Sequence, residues 1–204
     1  MPSQEAMFAT RTTTRLLDAL HEPDNEPAWV HLDHRYRPVV AGLARRLGLS
    51  NADAEEVAQQ TLSEFVRMYR EGRYDRGKGR LSSWILGIAH HTSIRILRQR
   101  RRESGASDST IAETPDETSL RTIWDDERDR AILGKALSIV RDESSVDDRT
   151  LLAFELVVLR GVPSAEAARQ ASMSVDQVYV AKSRVTRQLR GLITQLTLAF
   201  EEDE

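Results

Sequence analysis

The chain of 204 residues has no cysteine, which excludes disulfides, thiolate metal sites and a cysteine nucleophile. Aromatic residues make up only 5% and there are only 6 prolines. Together with the scarcity of Val-Thr-Ile alternation, this argues against a sheet and for a helical protein. No stretch approaches the roughly 18 consecutive apolar residues of a membrane-spanning helix. The N-terminus MPSQEAMFATRTTTRLLDAL also lacks the apolar core of a secretory signal. A cytoplasmic protein with no membrane association is expected. Missing too are a glycine-rich phosphate loop, a nucleophile elbow and a metal-spaced His-Glu cluster. No catalytic residue, metal, cofactor or small-molecule substrate is therefore expected, and the chain is not read as an enzyme.

What the chain does have is charge, 30% of its residues, and the net value of -3 hides a segregation of sign. Six arginines and no acid lie between Arg80 and Arg102, and RILRQRRRE, residues 95–103, holds five of them. Nine acids and two arginines lie between Glu103 and Asp129. A polyanion responds to local charge within a Debye length of about 8 to 10 Å, so the basic block matters more than the sum. Alone, such a run is most often a solvated helix face.

Apolar spacing at three and four residues predicts a helix over 28–47, ended by Gly48. A second is predicted over 52–70, with Ser50 or Asn51 as N-cap and Asp53, Glu55 and Glu56 near the positive end of the helix dipole. EGRYDRGKGR reads as a loop. A third helix runs from Leu81 to Arg100, with Ser82 or Ser83 as cap, and Arg100, Arg101 and Arg102 lead out of it into a loop. Trp84 belongs to its apolar stripe. Residues 103–120 are rich in Ser, Thr and acids, cannot bury enough apolar area to offset ordering, and read as a flexible linker. Beyond it lie a long helix and the segments RTLLAFELVVLRG, VPSAEAARQASM and SVDQVYVAKSRVTRQLRGLITQL. The fold class is all-α, two small helical domains joined by a flexible acidic linker. The division is an N-terminal extension over 1–27 with room for one helix, a first domain over 28–102, the linker over 103–120, a second domain over 121–200, and an acidic tail over 201–204.

PSAEAARQASMSVDQVYVAKSRVTRQLR has the layout of a helix-turn-helix: a short helix, a turn at 171–173, an N-cap at Ser174 and a longer second helix. Ser172 stands where a glycine is common. At about 100° per residue, Val178, Ala181, Val185, Leu189 and Leu192 share one side, the buried one. Asp176, Val180, Ser183, Arg187 and Arg190 share the other, flanked by Tyr179 and Arg184. That outer face is what a recognition helix offers the major groove.

HRYRPVVAGLARRLGLSNADAEEVAQQTLSEFVRMYR, YDRGKGRLSSWILGIAHHTSIRILRQRRR and VPSAEAARQASMSVDQVYVAKSRVTRQLR, in this order, resemble a bacterial RNA polymerase sigma factor of the extracytoplasmic-function (ECF, sigma-70 family) type, in which only regions 2 and 4 are present. The YVAKSRV-type second helix resembles members from planctomycete-like bacteria. The resemblance spans roughly residues 28–195. It implies a subunit that binds core RNA polymerase and directs promoter recognition, melting and initiation. By it, Asp53, Glu55, Glu56, Gln59 and Gln60 dock on core polymerase, with Gln60 departing from the Glu often found there. His90, His91, Arg95, Arg98, Gln99, Arg100, Arg101 and Arg102 handle the melted promoter element, and His91 stands where Asn is common. Tyr179, Val180, Lys182, Ser183, Arg184 and Arg187 read the upstream duplex element. Arg184 is the candidate for a guanine contact and Arg187 for phosphate. Lys182 falls nearer the buried stripe. Partners implied are core RNA polymerase, promoter DNA and, by family habit, an anti-sigma factor. The alternative is a helix-turn-helix transcriptional regulator with a helical sensing or dimerisation domain, which explains the last segment but not RILRQRRR. An acid-base site of Asp53, Glu55, Glu56 and the two histidines lacks the supporting motifs.

Overall fold

The computed structural model describes residues 13–22, 25–75, 77, 79–104, 115–143 and 146–201. They form an all-α protein with no strand among the described residues. The helices are α1 (Thr13–Leu20), α2 (Glu26–Arg46), α3 (Asn51–Arg70), α4 (Leu81–Glu103), α5 (Glu117–Glu143), α6 (Asp148–Phe154), α7 (Ser164–Gln170) and α8 (Val175–Glu201). A π-helical turn, Glu155–Leu159, continues α6. Among the described residues two compact units result, one within 13–131 together with 199–201 and one within 132–198. Residues 105–114 of the expected linker and 202–204 of the acidic tail lie outside the described residues, as do 1–12 of the N-terminal extension.

In the first unit the predicted stripes close on one another. Leu32, Tyr36, Val39, Val40 and Leu43 of α2 meet Val57, Leu62 and Phe65 of α3 and Leu81, Ile85, Ala89 and Ile96 of α4. Each large side chain so buried contributes roughly 1.5 to 3 kcal/mol. The N-terminal extension adds α1, whose Leu16, Leu17 and Leu20 join this core. The Tyr69 hydroxyl donates to the Leu17 carbonyl at 2.8 Å, tying α1 to α3. Trp84 stacks on Tyr74 of the preceding loop, with ring centroids 5.1 Å apart, and meets Phe65 edge-on at 5.5 Å. Its ring is therefore packing rather than an open platform.

Three helix ends differ from the expectation. Helix α4 continues through Arg100, Arg101 and Arg102 to Glu103. Arginine is a good helix former, and a cationic last turn suits the negative end of the dipole. The start of α4 has no side-chain cap: Arg80 is the N-cap residue, and Ser82 and Ser83 already lie inside the helix. Helix α5 begins at Glu117, inside the segment read as linker, because the Asp116 carboxylate accepts from the Ser119 backbone N–H at 2.7 Å and Leu120 is buried.

The second unit has an alanine-rich core of Ala153, Leu156, Ala167, Ala168, Ala171, Val178 and Ala181. Ala167 and Ala168 of α7 and Val178 and Ala181 of α8 share it. Ser174 caps α8 reciprocally: its hydroxyl accepts from the Gln177 N–H at 3.2 Å and its own N–H donates to Gln177 Oε1 at 2.8 Å. Between the two helices Ser172 takes a φ of 53°, the left-handed conformation that glycine adopts without strain. Arg149 of α6 holds this turn by donating to the carbonyls of Ala171, at 3.1 Å, and Ser172. A left-handed L-residue costs about 1 to 2 kcal/mol and glycine's extra chain entropy about 0.5 to 1. Ser172→Gly is therefore expected to raise stability by up to about 1 kcal/mol in urea denaturation, and a loss of stability would count against a strained turn.

Candidate nucleic-acid interface

The first unit carries its candidate residues on α3 and α4, which pack side by side. Burial of Ile85, Ala89, Ser93 and Ile96 fixes which side of α4 faces inward. Counting about 100° per residue, His91, Arg95, Arg98 and Arg102 fall within one narrow stripe on another side, and all four are exposed. Gln99 is exposed beside them and Arg101 is half-buried. The helix that continues to Glu103 thus turns a charge run into a ridge with one cation about every turn.

Arg100 has a different position. It extends the inward-facing stripe one turn beyond the core, where its guanidinium meets acids instead of apolar groups. It donates to Asp53 at 2.7 Å, to Glu56 at 3.3 Å and to Glu103 at 3.1 Å. The Ser50 hydroxyl first, and the Arg100 guanidinium second, hold the Asp53 carboxyl below the ordinary carboxylate range. The bonds to Asp53, first, and to Glu103 raise the Arg100 pKa. Arg95 donates to Gln60 Oε1 at 2.5 Å, while Gln60 Nε2 donates to Glu56 at 2.9 Å. A neutral amide can accept from a cation and donate to a carboxylate at once. A glutamate at residue 60 could not make both bonds, which gives the departure at this position a physical role.

The candidate acids are accordingly engaged within the fold. Glu55 lies 3.6 Å from Arg37 and 3.9 Å from Arg45, both on α2. Gln59 is exposed on the same face as these acids. Arg37 and Arg45 had no place among the residues picked from sequence, since they sit on another helix at no diagnostic spacing. The five residues read as a docking face and the basic ridge read as a strand-binding face are thus neighbouring surfaces, joined by Arg95 and Arg100.

His90 and His91 point apart as adjacent helix residues do, with ring centroids 5.9 Å apart. His91 is exposed, whereas His90 Nε2 is buried with no hydrogen-bond partner among the described residues. Burial, and secondarily the charge of His91, depress the His90 pKa below its ordinary 6.5. Among the described residues no group of three or more His, Asp or Glu is placed to hold a metal ion.

In the second unit the side of α8 bearing Val178, Ala181, Val185 and Leu189 is buried, while Leu192 is half-buried. Tyr179, Val180, Lys182, Ser183, Arg184 and Arg187 are all exposed, as are Asp176 and Arg190. Lys182, which falls near the buried stripe by angle, has its side chain out in solvent. Arg149, which sets the turn before α8, was invisible to sequence reading because its partners lie 22 and 23 residues away.

Residues 32–103 match the family model described as Sigma-70 region 2. The matched segment contains every candidate residue of the first unit and ends with the basic helix. The matched segment lies wholly within the first unit. A search of curated proteins found no match. No helix among the described residues is long and apolar enough to cross a membrane.

The depressed His90 pKa makes a pH test. Between the folded and unfolded values the unfolded chain binds the extra proton, so stability increases with pH there and is lost as pH falls through 6.5 towards the folded pKa. Acidification from about pH 7.5 to 5.5 is expected to lower the urea midpoint of the parent more than that of His90→Gln. Parallel profiles would show that His90 is not desolvated.

Proposed function

We propose that this chain is a dissociable sigma factor of the minimal extracytoplasmic-function type, with a region 2-like domain over 28–102 and a region 4-like domain over 121–200. It binds core RNA polymerase through Asp53, Glu55, Glu56, Gln59 and Gln60, and directs promoter recognition, melting and initiation. It works in the cytoplasm and is not itself an enzyme. The observation that carries the reading is the Sigma-70 region 2 match over 32–103, which coincides with the α3–α4 surface.

The division of labour follows from the chemistry. The ridge of His91, Arg95, Arg98 and Arg102, with Gln99 and Arg101 beside it, holds the backbone of a melting strand, where cations act through counterion release. Burial disfavours a charge on His90. Arg100 braces the ridge against the acids of α3 and meets the strand at the end of the helix. On α8, Tyr179, Val180, Lys182, Ser183, Arg184 and Arg187 face the upstream duplex element. A guanidinium fork matches guanine O6 and N7, which assigns base reading to Arg184, while Arg187, further along the helix, is assigned to a phosphate. An anti-sigma factor is a further partner of this reading.

The test compares the parent with two variants in complex with core polymerase. Arg184→Ala is expected to relax preference at one base pair, at about 1 to 3 kcal/mol, whereas Arg101→Ala weakens binding evenly across sequences and lowers the salt slope by about 1. Failure of the purified chain to associate with core polymerase, together with tight duplex binding on its own, would instead indicate a helix-turn-helix regulator.

A further inference from the structure

Val180 is 66% exposed and its neighbour Tyr179 57% exposed, on a helix face otherwise built of charged and hydroxyl groups. A single exposed valine is ordinary on a protein surface. This one has a particular neighbourhood. Its side chain lies four residues before Arg184, so the two share one face, one turn apart, about 6 Å along the axis. Tyr179 is rotated by roughly a further 100° from Val180 and does not share that line with Arg184. Ser183, on the next turn, is short and exposed, which leaves the valine methyls standing out from the helix. Asp176, one turn earlier on the same face, is also exposed.

An apolar group on such a face has one chemically suitable partner in the major groove. Each base pair presents donors and acceptors there, and thymine alone adds a methyl group, at C5. A β-branched side chain is stiff at χ1, so the valine methyls are held in place before contact. The separation of about 6 Å from Arg184 corresponds to about two base-pair steps of 3.4 Å.

The geometry points to Val180 as a specificity-determining residue that packs on the C5-methyl of a thymine one or two base pairs from the guanine read by Arg184. This rests on the reading of α8 as the duplex-binding helix given above, and it adds a base preference that the charged residues cannot supply.

The experiment uses the full chain with core polymerase and promoter duplexes in which deoxyuridine replaces thymidine one position at a time, removing only the methyl group. The parent is expected to lose about fourfold in affinity at a single thymine within two base pairs of the position that Arg184→Ala relaxes, the effect of one buried methyl group. Val180→Ala should bind thymidine and deoxyuridine duplexes alike at that position, and Val180→Thr, which keeps one methyl, should retain part of the discrimination. Because Val180 is exposed, neither variant should change the urea midpoint. A parent indifferent to deoxyuridine everywhere, while Arg184→Ala still relaxes its own position, overturns the thymine contact alone. So does a Val180→Ala profile equal to the parent's. Sequence-independent binding by parent and Arg184→Ala alike overturns the reading of α8 and this inference with it.

Discussion

Burial of one side of each helix decides which charges the protein has left to offer. In the first unit Phe65 and Val57 of α3 and Ile85, Ala89 and Ile96 of α4 enter a single core with α2. That packing fixes the rotation of α4 about its axis, and the rotation sets the line of His91, Arg95, Arg98 and Arg102 outward. The same constraint turns Arg100 towards α3. In the second unit, burial of Val178, Ala181, Val185 and Leu189 likewise leaves Val180 and Arg184 outside. The arrangement of the exposed charges is thus a consequence of apolar contacts in the core.

The charges within reach of one another are not independent. Asp53, Glu56 and Gln60 are bonded to Arg95 and Arg100, and Glu55 faces Arg37 and Arg45. Exposed pairs of this kind contribute only about 0 to 1 kcal/mol each. They are strong enough to orient side chains and weak enough to be exchanged for contacts with a partner. Under the docking role proposed above, a face held in place by these cations would be ordered before it binds, which lowers the entropy lost on association.

Much of this was legible in the sequence wherever a structural decision is local. The stripes of α2, α3, α4 and α8 follow from three-and-four spacing, and the caps at Ser50 and Ser174 from residues within one turn. Decisions that depend on distant residues were not legible. Arg100 finds its acids 47 and 44 residues away, and the carbonyls clamped by Arg149 are separated from it by most of three helical segments. The extension of α4 past Arg100 has a related cause: Arg100 meets the acids Asp53 and Glu56 of α3, far from it in the chain. α5 starts before the expected boundary because one aspartate caps it and one leucine is buried, signals too small to stand out from an acidic, serine-rich segment.

The most direct measurement is initiation itself. Core RNA polymerase is mixed with the purified chain and a library of promoter duplexes, and transcripts are read by start site and upstream sequence. The expected result is initiation that requires the chain and selects a shared pair of upstream and start-proximal elements. Transcripts that are the same in number and sequence with and without the chain would contradict the assignment of α4 and α8 as promoter-reading surfaces.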